Sequence, residues 1–304
     1  MKIVGAGLAG LLAAHAWPQA EVLEAAREPH AAHHALLRFR TDAVARLTGI
    51  DFHPVTVRKG IWFGGKFVQP SIGMANLYSR KVLGGLTADR SIWSLEPVQR
   101  WIAPETLYEQ LVENVGARVQ WGAPFDFLTP RDEPIVSTAP LPVIARTLGL
   151  SIPQPMHRAP IRVDRWRLNN AEVYQTIYFP SPETAVYRAS ITGSLLIVEQ
   201  IVASQEKKSW PDWLPEILEA FGISPIDSEL TAVDAVEQKY GKIVPLPDAV
   251  RKALLHELTA RHGIFSLGRF ACWRNLLLDD VVQDIAVLRR LMRASAYDRQ
   301  LHAS

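Results

Sequence analysis

The glycines near the start of the chain have the types and spacing that bind a dinucleotide. Gly5, Gly7 and Gly10 follow the short apolar run at residues 2–4. The first glycine permits a tight turn, the second lets the backbone approach a pyrophosphate, and the third lets a helix pack closely on the strand. Glu24 ends a second apolar run, about where a ribose hydroxyl needs an acceptor. The spacing predicts a dinucleotide-binding unit, and the alternative is a glycine turn in an unrelated strand and helix.

Composition limits the class of protein. With 304 residues and 48% hydrophobic content, the chain is long enough for two connected domains. The single cysteine, Cys272, excludes an intramolecular disulfide and a multi-cysteine metal site. His30, His33 and His34 cluster without companion ligands, so we predict no metal. No apolar run is long enough to span a bilayer, and no basic leader precedes the glycine motif. We therefore expect a soluble, cytoplasmic protein with no membrane partner.

A cluster of arginines is compatible with a phosphate-rich partner. The net charge is only +2, which by itself does not require nucleic acid. Arg158, Arg162, Arg165 and Arg167 nevertheless surround Trp166 within ten residues. We favour a sheet strand with one solvated face, and a phosphate-binding face is the alternative.

The second half of the chain has a different architecture from the opening unit. Four strand-like segments follow one another at residues 161–168, 172–179, 184–191 and 195–201. Successive strands of this kind predict an antiparallel sheet. Helical segments are expected at 210–221 and 279–293, and a strand with a glycine turn at 264–269. The fold class is therefore α/β, with a nucleotide-binding domain made of separated segments and an inserted sheet domain.

Two ends of the chain resemble the flavoprotein superfamily that includes amine oxidases, protoporphyrinogen oxidase and UDP-galactopyranose mutase. The resemblance lies in residues 5–10 with Glu24, and in residues 263–274 followed by 278–280. It implies a Rossmann-like FAD-binding domain of the glutathione-reductase type with an inserted antiparallel-sheet substrate domain. The FAD-binding domain would comprise residues 1–50, 96–150 and 258–304, and the substrate-binding domain residues 51–95 and 151–257.

The resemblance also implies a set of cofactor contacts. The arginine and glycine stretch that commonly follows the acid is absent here, and Arg38 and Arg40 are the substitutes beneath the pyrophosphate. Cys272 lies in a different context from a flavin-anchoring cysteine, so we expect noncovalent FAD. The predicted FAD contacts are Gly5, Ala6, Gly7, Leu8, Ala9, Gly10, Glu24, Arg38, Arg40, Val119, Ser137, Thr138, Pro140, Gly268, Arg269 and Asp280.

Segments 34–40, 76–82 and 187–193 are similar to compact flavoproteins encoded by tailed bacteriophages. Some of those proteins resemble enzymes of thymidine hypermodification, in which a glycine joined to a thymine methyl group in DNA is oxidised to leave an aminomethyl base. The resemblance implies an amine-bearing substrate, with modified DNA as one candidate partner. A thymine in DNA would have to leave the helix to reach a buried flavin.

Amine oxidation needs a C–H bond oriented toward the flavin, and no dedicated base is compulsory. Arg188 could hold a substrate carboxylate through a bidentate pair, and Lys81 matches a lysine that related oxidases place near the flavin. The predicted catalytic residues are Lys81, Tyr178, Tyr187 and Arg188. The predicted substrate contacts are Asn76, Tyr78, Arg162, Trp166, Tyr174 and Ser190. For each of these side chains, packing or an ordinary surface position is the alternative.

Two other functions stay open at the level of sequence. A mutase of the galactopyranose type would use reduced flavin with no net oxidation, and oxygen consumption separates it from an oxidase. A protein that uses FAD only for structure would keep its flavin inaccessible to reductants. No second G-x-G-x-x-G is visible, so a dedicated NADPH domain is not expected. The sequence does not reveal an oligomeric state.

Overall fold

A computed structural model describes residues 1–29, 38–87, 92–131, 133–152, 154–202, 213–224 and 230–303, with side chains up to 293. The histidine cluster at 30–34 lies outside the described residues. The strands are β1 (Lys2–Val4), β2 (Glu21–Glu24), β3 (Arg38–Phe39), β4 (His53–Ile61), β5 (Val98–Ile102), β6 (Val119–Trp121), β7 (Ile135–Ser137), β8 (Arg158–Leu168), β9 (Val173–Tyr178), β10 (Val186–Gly193), β11 (Leu195–Ile201), β12 (Leu230–Ile243) and β13 (Ile264–Ser266). The helices are α1 (Leu8–Ala16), α2 (Ala43–Thr48), α3 (Ile72–Leu83), α4 (Leu107–Val115), α5 (Leu141–Thr147), α6 (Leu214–Phe221), α7 (Asp248–His262) and α8 (Leu278–Ala303).

The first sheet has five parallel strands in the order β13-β7-β1-β2-β6. Apolar side chains on one face of the sheet pack against α1, α4 and α8, whose contacting residues include Leu11 and Ile285. Apolar side chains on the other face pack against α5 and α7, whose contacting residues include Leu141 and Leu258. Parallel strands covered by helices on both faces form the doubly wound architecture that the glycine motif predicts. Its ligands bind outside the carboxyl ends of the strands.

The second sheet has eight strands in the order β12-β8-β11-β10-β9-β4-β5-β3. The four strands predicted from sequence, β8 to β11, form β8-β11-β10-β9 with antiparallel neighbours. The sheet as a whole is mixed, because β4 pairs with β9 in parallel. The 14-residue β12 was not predicted from the sequence. Helix α6 covers one face around Trp166, and α3 packs on the other beside Tyr187.

The chain crosses between the two sheets several times. β3 and β5 belong to the large sheet, although residues 1–50 and 96–150 were assigned to the FAD-binding segments. The predicted helix at 210–221 begins in the structure at Leu214, and residues 210–212 lie outside the described part. The predicted helix at 279–293 is α8. In the described part of the chain, no helix has the length and apolar character needed to cross a membrane.

Candidate functional site

The turn between β1 and α1 is shaped by its glycines. A Cβ atom at Gly10 would lie 1.8 Å from the Gly5 carbonyl oxygen, and one at Gly5 would lie 2.3 Å from Thr138 Oγ1. Gly5 also has φ +99°, which L side chains rarely adopt. A Cβ atom at Gly7, in contrast, would meet nothing within 4 Å. Gly5 and Gly10 are therefore required by packing, whereas Gly7 faces open space at the N-terminus of α1.

Glu24 lies at the end of β2 and holds this turn. Its Oε2 accepts a hydrogen bond of 2.7 Å from the Ala6 N–H, and its Oε1 accepts one of 2.9 Å from the Ala26 N–H. The Tyr108 hydroxyl donates to the Ala6 carbonyl at 3.3 Å. Each carboxylate oxygen of Glu24 keeps a second acceptor position, so the side chain can still bind a ribose hydroxyl.

Other predicted cofactor residues meet at the same edge of the parallel sheet. Thr138 Oγ1 donates to the Val4 carbonyl at 2.9 Å. Gly268 has φ +90°, and a Cβ atom there would lie 2.8 Å from the Ala9 Cβ. Ser266, which is paired with Ser137 in the strand register, has a buried hydroxyl with no hydrogen-bond partner among the described residues. This edge therefore combines a helix N-terminus without a side-chain cap, an acceptor carboxylate and an unsatisfied hydroxyl, a set of groups that fits a dinucleotide.

Arg40 and Asp280 are brought together, since the Arg40 guanidinium forms an ion pair with the Asp280 carboxylate. The neighbouring Asp279 is buried and accepts hydrogen bonds from the Arg40 N–H at 3.1 Å and the Thr41 N–H at 2.9 Å. The sequence analysis did not assign a role to Asp279. Its position beside a second acid at the start of a helix is the signal that could have identified it.

Three further predicted contacts have other neighbours in the structure. Val119 pairs with Val22 in the sheet, and Pro140 immediately precedes α5. Arg269 Nη2 donates to the Gly241 carbonyl at 3.1 Å, which ties the glycine turn after β13 to β12. Their contact with a cofactor stays a prediction.

Four of the residues predicted for substrate or catalysis share one face of the large sheet. Arg188 is paired with Tyr178, Ser190 with Thr176, and Thr192 with Tyr174. Side chains at alternate positions of a strand point to the same face, and directly paired residues of neighbouring strands do so as well. These six residues, Arg188, Ser190, Thr192, Tyr174, Thr176 and Tyr178, form what we call the polar face.

Arg38 extends from β3 onto the polar face. Its guanidinium donates to Thr176 Oγ1 at 2.7 Å, to Thr192 Oγ1 at 2.8 Å and to the Ile191 carbonyl at 2.7 Å. Burial and the charge of Arg188 lower the pKa of Arg38 to about 9. Among the described residues, its hydrogen bonds go to β9 and β10 and none goes to the glycine turn, so the structure places it at the large sheet.

Arg188 is held by Glu199, another residue that the sequence analysis missed. Arg188 Nη2 donates to Glu199 Oε1 at 2.7 Å, and Arg188 Nε donates to Oε2. The Tyr187 hydroxyl also donates to Glu199, at 2.7 Å. A shift in strand register between Val186 and Arg188 lets both consecutive residues contact one carboxylate. Burial raises the pKa of Tyr187 well above its usual value, so it is a neutral donor.

Tyr187 and Lys81, both predicted to be catalytic, make contacts within the protein that hold its structure together. Tyr187 is fully buried, so it positions Glu199 and does not reach a substrate. Lys81 Nζ donates to the carbonyls of Phe179 at 2.8 Å, Ser181 at 2.7 Å and Val186. Its three protons are therefore occupied in joining α3 to the connection between β9 and β10. Burial lowers the pKa of Lys81 to about 7.

The two predicted substrate residues on α3 differ in exposure. Asn76 is exposed, whereas Tyr78 is buried. The Tyr78 ring packs edge-on against Tyr178, with 5.4 Å between ring centroids. Tyr174, at the other end of the polar face, has its hydroxyl 3.2 Å from His53 Nε2.

Three of the four arginines of the β8 cluster form ion pairs within the protein. Arg162, Arg165 and Arg167 form ion pairs with Asp164, Asp234 and Glu105, respectively. The Arg158 guanidinium lies 4.2 Å from the centroid of the Tyr240 ring. Trp166 is buried against Trp213, with 5.8 Å between their centroids. Asp164 and Trp166 are both buried, so the predicted substrate contact at Trp166 is covered by the protein.

No metal site emerges from the described residues, among which no group of three or more histidine, cysteine or acidic side chains could hold an ion. Cys272 is buried, with its Sγ 3.4 Å from the Ser266 carbonyl oxygen. Burial raises the pKa of the Cys272 thiol to about 12. A buried thiol that stays protonated is a poor nucleophile, in agreement with the expectation of noncovalent FAD.

Comparison with solved structures identifies the class of fold. The chain is similar to reduced UDP-galactopyranose mutase, with a TM-score of 0.69 and 14% identity over 96% of this chain and 93% of that chain. It is also similar to an oxidoreductase from Methanosarcina mazei, with a TM-score of 0.56 and 12% identity over 95% and 100% of the two chains. A third similar structure is the flavin-dependent monooxygenase PieE in complex with FAD and substrate, with a TM-score of 0.51 and 14% identity over 88% and 52%.

These similarities confirm the predicted fold class. The chain has the mixed α/β fold of Rossmann-type, FAD-binding flavoenzymes, with a parallel sheet and a large mixed sheet. No protein-family model matches the sequence, and no curated protein matches it.

Proposed function

We propose that this protein binds FAD noncovalently and is an FAD-dependent oxidoreductase. The observation that carries the proposal is the contrast among the three glycines of the first turn. Gly5 and Gly10 admit no side chain, whereas Gly7 leaves room at the N-terminus of α1, which has no side-chain cap. A pyrophosphate fits this arrangement, and Glu24 is placed to accept from the adenosine ribose. The shared fold with flavoenzymes supports the same assignment.

A short segment joins the polar face to the start of α8. Arg38 contacts the polar face, and Arg40, two residues later, pairs with Asp280 at the start of α8. Two residues of extended chain span at most about 7 Å. The large sheet is therefore joined by a very short segment to α8, which packs beside α1 on the parallel sheet. The polar face of the large sheet is the candidate substrate surface.

The finer proposal is oxidation of a C–N bond in an amine or amino-acid adduct. When bound, FAD supplies a two-electron acceptor. The substrate carbon loses a hydride equivalent and the nitrogen a proton, and water then hydrolyses the resulting imine to an amine and a carbonyl product. The protein's residues would orient the substrate on the polar face, where Tyr178 lies opposite Arg188 and Tyr174 lies opposite Thr192. Glycine-modified thymine in DNA is one such adduct, supported by the sequence resemblance alone.

Anaerobic mixing tests this proposal. Purified yellow protein would be mixed with free amino acids or with duplex DNA containing glycyl-modified thymine, and the visible flavin absorption followed. Bleaching together with release of an amine product supports C–N oxidation, and release of an aminomethyl base identifies the DNA substrate. A spectrum unchanged by every amine would refute this reaction. Release of FAD on acid precipitation would confirm that it is bound noncovalently.

A mutase acting on a nucleotide sugar is the second candidate, and the similarity over nearly the full length of UDP-galactopyranose mutase favours it. Such an enzyme would interconvert sugar isomers with reduced flavin and consume no oxygen. Incubating the reduced protein with UDP-galactopyranose and separating the products by chromatography decides between the two. A new isomer without oxygen uptake would replace the oxidase proposal. A flavin that no reductant reaches would indicate a structural cofactor.

A further inference from the structure

The polar face carries two arginines whose charges are incompletely balanced. Arg38 makes its hydrogen bonds to hydroxyl and carbonyl oxygens, which carry no full charge. Besides burial, repulsion from the charges of Arg188 and Arg100 lowers the pKa of Arg38, whereas the Tyr178 phenol and Glu199 raise that pKa. Glu199 is already paired with Arg188 through both carboxylate oxygens. Within the described part of the chain, one carboxylate thus serves two partly buried guanidinium groups.

The orientation of Arg188 leaves one of its nitrogens available. Nε and Nη2 are bound to Glu199, whereas Nη1 has no hydrogen-bond partner among the described residues. The Arg188 side chain is 23% exposed, while that of Glu199 is 2% exposed. Glu199 therefore holds the guanidinium from the protein side, and the free edge of Arg188 is on the accessible side. A guanidinium held in this way is well oriented for an oxyanion.

Two small hydroxyl side chains on the polar face support Arg38. Thr176 Oγ1 accepts from Arg38 Nη1 at 2.7 Å and lies 3.1 Å from Ser190 Oγ. Ser190 follows Arg188 by two positions, so both side chains are on the polar face. Both hydroxyl side chains are buried and bond to each other, so they hold the Arg38 guanidinium in place on the polar face.

We propose that Arg38 and Arg188 form an anion subsite on the polar face that binds the carboxylate or phosphate group of the substrate. Glu199 and Tyr187 are positioning residues for Arg188. Binding of an anion at this subsite is independent of the reaction, but its interpretation as a substrate group depends on the proposed function. The oxidised or isomerised substrate would then carry an oxyanion as well as its reacting bond.

Binding of simple anions to the full-length, FAD-loaded protein tests the subsite. Inorganic phosphate and acetate would be titrated separately by calorimetry at low ionic strength. We expect saturable binding of at least one probe and a loss of about tenfold to hundredfold in affinity for Arg188→Lys, which keeps the charge but loses the bidentate fork. Arg165→Gln is the matched control, because Arg165 is on the same sheet but paired with Asp234. Its affinity should equal that of the wild type.

Chemical modification provides a second measurement without a variant. Phenylglyoxal reacts with accessible guanidinium groups, and mass spectrometry maps the modified residues. Phosphate or acetate should protect Arg188 and leave the modification of exposed Arg46 unchanged. A preference for phosphate points to a nucleotide or sugar phosphate, and a preference for acetate to an amino acid. Absence of saturable binding, or equal affinity in Arg188→Lys, would overturn the subsite. Absence of bound FAD in the purified protein would instead refute the proposed function.

Discussion

Substituting the glycines of the first turn one at a time distinguishes residues that bind the cofactor from residues that are required for packing. Gly7 has φ −73° and ψ 175°, values that alanine adopts without strain. Its new methyl group would meet no protein atom within 4 Å. We expect Gly7→Ala to change the free energy of unfolding of the FAD-free protein by less than about 1 kcal/mol, since reduced chain entropy offsets weaker helix capping.

The same methyl group would occupy the space that we assign to the pyrophosphate. Displacing a phosphate from one charge-assisted hydrogen bond costs roughly 1.5–3 kcal/mol. We therefore expect FAD to bind about 10-fold to 100-fold more weakly to Gly7→Ala. Fluorescence titration of the FAD-free protein with FAD measures this affinity. Unchanged affinity in Gly7→Ala would refute the placement of the pyrophosphate at this turn.

Gly10→Ala provides the contrasting result. Its Cβ would lie 1.8 Å from the Gly5 carbonyl oxygen, so the helix or the turn must move by roughly 1 Å or more. Overpacking of this kind costs about 1–3 kcal/mol, and thermal unfolding of the FAD-free protein should show the loss. Gly73→Ala, near the start of α3, is the control, because its Cβ would come no closer than 3.8 Å to a neighbour. It should alter neither FAD affinity nor, beyond about 1 kcal/mol, stability.

Three other predictions concern the groups behind the polar face and the helix α8. Although burial acts to raise it, Arg188 and Lys242 hold the pKa of Glu199 at about 2, below its ordinary 4.5, so about 3 kcal/mol of stability present above pH 4.5 should be lost as the pH falls toward 2. Denaturant unfolding of Glu199→Gln at several pH values should lack this acid-dependent loss. If the free energy of unfolding of the variant fell with pH as steeply as that of the wild type, Glu199 would not be its source. Lys81→Met should lower stability by about 3 kcal/mol, because buried carbonyls lose their donor, and it should leave FAD affinity within about twofold. Asp279→Ala should cost roughly 2–3 kcal/mol in thermal unfolding by leaving two backbone N–H groups unpaired, whereas Glu257→Ala, at an exposed helical ion pair, should cost less than about 0.5 kcal/mol.

The tertiary structure changes the roles of several residues selected for their chemistry. Lys81 was predicted to be catalytic, but three carbonyl groups that lie 98 to 105 residues away along the chain occupy its ammonium group. Trp166 was predicted as a substrate contact, but α6 covers it. Residue type indicates what a side chain can do, whereas the neighbours that consume its donors or bury its ring come from distant parts of the chain. No local pattern in the sequence contains that information.

The sequence by itself determined the local elements whose requirements are local. Glycine spacing and the following acid specify the turn at Gly5, Gly7 and Gly10, because backbone conformation and close packing there depend on a few adjacent residues. Only the tertiary structure decided which side chains share a face of the large sheet. Strand order and register bring Arg38 across β9 and β10 and place Glu199 behind Arg188, because pairing between distant strands depends on the packing of the whole sheet and not on either strand alone.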